Sequence, residues 1–175
     1  MTAFWSLFGF LLLQRMLELW LARRNAKRVL ATGGYEVGQR HYPWIVGTHL
    51  LFFLGLLIEI GFYARHPGAW FPFWFGLFLM AQAVRYWAIR SLGKYWNTRL
   101  IVTPGMRPVV RGPYRYIRHP NYLVVVVELL AVPLMFDAYV TAISITLLNG
   151  FVLRHRIRLE DEALRRATQT ATLQV

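Results

Sequence analysis

Two clusters in this chain have the residue types and spacing for chemistry. The first, residues 111–122, reads R-G-P-Y-R-Y-I-R-H-P-N-Y and packs four Arg or His, three Tyr, two Pro and one Asn into twelve positions. It runs directly into the apolar L-V-V-V-V and then Glu128. The second, residues 154–162, reads R-H-R-I-R-L-E-D-E and follows the last apolar stretch. Such a density of hydrogen-bonding groups beside apolar segments needs partners. An arginine can hold an anion, a carboxylate or imidazole can hold a proton, and a tyrosine face can meet a cation. The two clusters read as halves of one pocket. Plainer readings compete: His119-Pro120-Asn121 as a turn with Asn121 capping the next helix, and Arg156 with Glu160 as a surface pair four residues apart.

The elements that must position these clusters follow from composition. Of 175 residues, 57% are hydrophobic and 16% aromatic, with mean hydropathy +0.38. A water-solvated surface on so small a chain would hold fewer, so lipid is the expected solvent. The net charge of +12 lies in short runs between apolar spans. That is the positive-inside bias of membrane proteins, so nucleic acid is not an expected partner. There is no cysteine, and the histidines show no metal-ligand spacing, so no metal is expected. Positive residues follow the first apolar run and do not precede it, as in a retained span.

The fold class expected is an all-α integral membrane protein, one domain over residues 1–175 with about five transmembrane helices. Spans fall at 3–21, 42–64, 70–89, 122–136 and 138–153, the first long enough at about 28 Å to cross. Residues 1–89 hold three of them, and 90–168 hold both polar clusters. Residues 23–42 read as a basic loop. The last two spans form a tight helical hairpin turning at Asp137, and 154–168 form a separate charged amphipathic helix. Residues 90–121, rich in Gly and Pro, cannot lie in lipid and form a surface loop. In the first span Arg15 and Glu18 are placed to pair. Of the twenty Lys and Arg, eighteen fall on one side of a five-span topology and Arg65 alone on the other. This puts the N-terminus outside and the C-terminus in the cytoplasm. Residues 90–121 and 154–168 then share a side and can meet. Glu59 reads as a buried, paired residue without a chemical role.

The pair G-P-Y-R-Y-I-R-H-P-N-Y before an apolar hairpin and R-I-R-L-E-D-E-A-L after it resembles the isoprenylcysteine carboxyl methyltransferase family. The likeness is strongest over residues 92–164. The E-L-W-L-A-R-R-N at 18–25 and E-x-G-x-x-H-Y-P at 36–43 look like its bacterial branch, which includes methyltransferases of alkylpyrones and phenolic lipids. The resemblance implies S-adenosylmethionine as cofactor. It implies that Tyr114, His119, Pro120, Asn121, Tyr122 and Glu160 contact that cofactor, with the backbone of Met106, Arg107, Pro108 and Val109 beside them. It places Arg156 next to the methyl acceptor and gives Arg156 and Glu160 the catalytic roles. Asp161 stands where the family often has a second Glu, and 106–109 lacks a His common at its start.

Methyl transfer from a sulfonium is an in-line displacement needing alignment and exclusion of water. Tyr114, Tyr116, Tyr122 and Glu160 suit a sulfonium. Arg156 suits an anionic acceptor oxygen, with Glu128 as a second substrate-side residue. Glu160, Asp161 and His155 are base candidates if the acceptor arrives protonated. The expected function is O-methylation of a lipophilic acid, enol or phenol, such as a prenylcysteine-like or alkylpyrone lipid, reaching the site from the bilayer. Membrane lipids are the surrounding partners, and a homo-oligomer is an open alternative. Two rivals stand beside it: an NADPH-dependent lipid reductase of the steroid reductase type, and a non-enzymatic transporter or scaffold.

Overall fold

The computed structural model describes residues 1–106 and 108–172, with side chains as far as Thr168. Five helices carry it: α1 (Thr2–Ala31), α2 (Tyr42–Leu56), α3 (Phe71–Leu92), α4 (Pro120–Leu134) and α5 (Tyr139–Thr172). A π-helical turn, Leu57–Phe62, extends α2. The helix Gln39–Phe62 and α1 are each long and apolar enough to cross a membrane.

Three sequence expectations are corrected. First, residues 23–31 are helix, not loop. The stretch R-R-N-A-K-R-V-L-A contains strong helix formers and no breaker. The chain turns only at Gly33-Gly34, with Gly33 at φ +88°. Second, the fifth span and the charged segment after it are one helix of 34 residues. At 1.5 Å per residue it is about 51 Å long. No proline lies between Tyr139 and Thr172 to break it. Third, the fold is not purely α. Strand β1 (Tyr35–Val37) pairs antiparallel with β2 (Leu100–Val102), Tyr35 opposite Val102 and Val37 opposite Leu100.

The main core is apolar and draws on every helix: Phe4 and Leu11, Phe52 and Leu56, Phe78, Leu129 and Val132, and Ile145. A second, smaller core forms where the ribbon lies on the far half of α5. Leu100 and Val102 are buried there against Ala163 and Ala167, flanked by Val37 and Leu159. The alanines leave room for the strands to approach. Outside both cores, large apolar side chains such as Leu17, Leu50, Met80, Leu147 and Phe151 face outward. A surface of that kind suits lipid rather than water.

A charged cluster sits within the helices. Arg15 and Glu18 pair as the sequence suggested, at 2.6 Å. Arg85 reaches Glu18 at 3.0 Å and Glu128 at 2.6 Å, and Arg15 closes the ring onto Glu128. Gln82 donates to Glu128 at 3.0 Å, and Gln14 to Glu18 at 2.9 Å. Two cations thus face two carboxylates, joining α1, α3 and α4. Arg85 therefore does not belong with the surface charges among which the topology reading placed it; its side chain is 3% exposed. Glu59 is paired as expected. It accepts from the backbone N–H groups of Val140 at 3.2 Å and Thr141 at 2.7 Å, capping α5.

Candidate active site

The site is built from the loop before α4 and from the far half of α5. Gly112 starts the loop at φ +59°, and the Ser91 side chain occupies the space a Cβ would need. Both facts require glycine. Arg111 donates from Nε to the Ser91 carbonyl at 2.7 Å, fixing the loop to α3. A 3-10 turn, Gly112–Arg115, then presents Tyr114. His119 is the N-cap of α4 and Pro120 its first residue, a position that suits proline. Asn121 is therefore inside the helix and not its cap. Its neighbour Tyr122, in the first turn, points to α5.

On α5, Arg156 and Glu160 lie one turn apart, yet among the described residues they are not an ion pair. The Tyr122 hydroxyl bridges them. It donates to Glu160 Oε2 in a short hydrogen bond, and accepts from Arg156 Nε at 3.3 Å. Arg156 Nη2 donates to the Thr98 carbonyl at 3.3 Å. Arg156 is 4% exposed, and no described carboxylate lies within ion-pair distance of it. A buried cation without a counter-ion is costly unless a ligand supplies the anion. This sets aside the surface-pair reading.

The His119 ring stacks on Tyr122, with centroids 5.3 Å apart and planes 18° apart. Its Nδ1 is 3.7 Å from Glu160 and its Nε2 3.4 Å from Asp161. Nε2 is buried and makes no hydrogen bond among the described residues. Burial, then the Glu160 charge, pushes the Tyr114 hydroxyl above its ordinary range, so it stays a neutral phenol at working pH. Next to Arg156, His41 is buried with Nε2 unpartnered. Its ring lies 4.6 Å from that of His155.

Tyr114, His119, Tyr122, Arg156, Glu160 and Asp161, but neither His41 nor His155, line a cleft of about 640 Å³, within the range of ~300–1,000 Å³ usual for ligand sites. Met106, Pro108, Val109, Tyr114, His119, Asn121, Tyr122, Arg156 and Glu160 all contribute to its wall. Pro120 does not; it is buried at the start of α4. Arg107 lies outside the described residues. Glu128 is also absent from the wall, being held by Arg15, Arg85 and Gln82 in the cluster between helices, so the pocket does not bring it to Arg156.

Several wall residues carried no sequence signal: Trp96, Asn97, Arg99 and the strand β2. They are set by the unexpected extension of α1. Asn25 donates to the Trp96 carbonyl at 2.8 Å, and Asn97 donates to the Ala22 carbonyl at 3.2 Å. Gly105 N–H donates to the Ala167 carbonyl at 3.1 Å, closing the far end of the cleft onto α5.

Comparisons with known proteins agree with this geometry. The model of the isoprenylcysteine carboxyl methyltransferase family matches residues 74–166, a stretch that includes both halves of the cleft. An uncharacterized protein of Bacillus subtilis, YpbQ, is 44% identical over 164 residues, covering 92% of this chain and 96% of its own. An uncharacterized protein of Haemophilus influenzae is 23% identical over 158 residues, covering 90% and 92%. No solved structure matches. With its long apolar helices and a cleft inside the matched region, the chain belongs to the isoprenylcysteine carboxyl methyltransferase family, a family of membrane methyltransferases.

Proposed function

We propose that this protein is an S-adenosylmethionine-dependent O-methyltransferase acting on a lipophilic acid, enol or phenol. The observation that carries the reading is Arg156, a buried cation in the cleft wall that touches no carboxylate among the described residues, Glu160 being held off it by the Tyr122 hydroxyl. The residues present fit the cofactor. The cleft has the volume, His119 Nε2 is buried and awaits a hydrogen-bond partner, and Tyr114 with Glu160 offers an aromatic face and a negative charge to a cation.

When bound, the cofactor supplies an electrophilic methyl group on a sulfonium. The remaining work belongs to this chain. Tyr114 stays neutral and presents its ring. Tyr122 holds Glu160 and Arg156 apart through one hydroxyl, so the carboxylate faces the cation and the guanidinium stays available. Arg156 orients the acceptor anion and, for an enol or phenol, lowers the pKa of its hydroxyl. Trp96 and Leu100 in the wall help exclude water. Removing water strengthens each of these interactions.

The acceptor reaches Arg156 from the bilayer, and the cofactor from the cytoplasm. The positive-inside count supports placement in a bacterial inner membrane with a cytoplasmic C-terminus. Calorimetric titration of the detergent-purified protein tests the donor, with S-adenosylmethionine, its demethylated product and NADPH in parallel. Saturable binding of the first two alone is expected. Binding of NADPH alone would move the protein to the reductase reading.

A further inference from the structure

Helix α5 carries a line of residues beyond the cleft. Asn149, Arg156 and Glu160 are spaced by seven and four, so at 3.6 residues per turn all three lie on one face. Arg156 and Glu160 line the cleft; Asn149, two turns toward the apolar end, does not. One turn further, Ile145 belongs to the main apolar core. Asn149 therefore stands where the apolar core gives way to the cleft.

Asn149 is 5% exposed, and its buried Nδ2 has no hydrogen-bond partner among the described residues. A buried amide donor left unmade costs stability. In an apolar helix the cost is no smaller, and an unpaired polar group there marks a ligand path. The ion cluster of Arg15, Glu18, Arg85 and Glu128 does not reach it. Thr146, three residues earlier, also has a buried, unpartnered hydroxyl.

Resting on the methyltransferase reading, we propose that Asn149 recognises the acceptor: its amide donates to a second oxygen on the acceptor's polar head, while Arg156 holds the oxygen that is methylated. The acceptor class is thus a long-chain lipid whose head carries two oxygens, one ionisable and one able to accept a hydrogen bond. A head with only one oxygen would leave the amide unpaired and be transferred more slowly.

Methyl transfer from S-adenosylmethionine to 5-pentadecylresorcinol and to 3-pentadecylphenol, which differ by one oxygen, tests this. The wild type should favour the resorcinol in kcat/KM by about tenfold, the worth of one hydrogen bond. In Asn149→Leu the preference should fall close to one while S-adenosylmethionine affinity, read by calorimetry, is unchanged. If the leucine variant fails to bind cofactor, Asn149→Ala decides, since it removes the amide and adds no bulk. A preference absent in the wild type, or surviving in a variant that binds cofactor, overturns the proposal. So does loss of cofactor binding in both variants, which would make Asn149 a structural amide. Failure of the wild type to bind S-adenosylmethionine is a different result and sinks the methyltransferase reading itself.

Discussion

The protein holds two buried polar clusters of similar size, and they differ in how they are closed. In the cluster between α1, α3 and α4, two arginines face two glutamates, and each carboxylate meets both cations. In the cleft, among the described residues, Arg156 has a hydroxyl and a carbonyl in contact but no carboxylate. The first cluster balances two cations with two carboxylates and belongs to the fold, though Arg85 Nε and Gln14 Oε1 in it make no hydrogen bond among the described residues. The second leaves a cation for something else. Both hold a buried arginine, Arg85 or Arg156; the balance of charged partners separates them.

The largest effect should come from breaking the closed cluster. Glu128→Ala leaves two guanidiniums to one carboxylate in an apolar interior, costing about 3–5 kcal/mol. A large fall in thermal midpoint in detergent is the expected result. An unchanged midpoint would mean that the ring is not closed in solution. Arg156→Ala should do the reverse. No carboxylate is left unpaired, so the midpoint should hold, while methyl transfer falls by about 100-fold, as for loss of one charge-stabilising donor. Tyr122→Phe removes the bridge between Glu160 and Arg156. It should weaken S-adenosylmethionine binding by about tenfold, the worth of one or two hydrogen bonds; affinity equal to the wild type would remove Tyr122 from the site.

The cleft cluster was legible in the sequence because each half is local. His119 and Tyr122 lie within one turn, as do Arg156 and Glu160, and both pairs border apolar runs that fix which side they share. The closed cluster was only half legible. Arg15 and Glu18 are three apart, but Arg85 and Glu128 come from distant helices, and although both lie inside apolar spans nothing local names either as the other's partner. The ribbon was hidden for a related reason. Its strands are three residues long, too short for an alternating pattern to stand out, and Val37 and Leu100, the paired residues nearest in sequence, are 63 apart. The extension of α1 does not stand out as a span because its composition is polar and basic, although the residues themselves favour helix. That helix places Asn25, and through it the Trp96 wall.

The central claim is that Arg156 serves the acceptor and not the cofactor. The direct measurement is one pair of assays on Arg156→Ala beside the wild type. Calorimetry reads S-adenosylmethionine affinity, and a radiolabelled methyl group reads transfer to 5-pentadecylresorcinol and to N-acetyl-S-farnesylcysteine. Affinity equal to the wild type with transfer lost to whichever lipid the wild type accepts is the predicted result. Affinity lost along with transfer, or transfer retained, would contradict it.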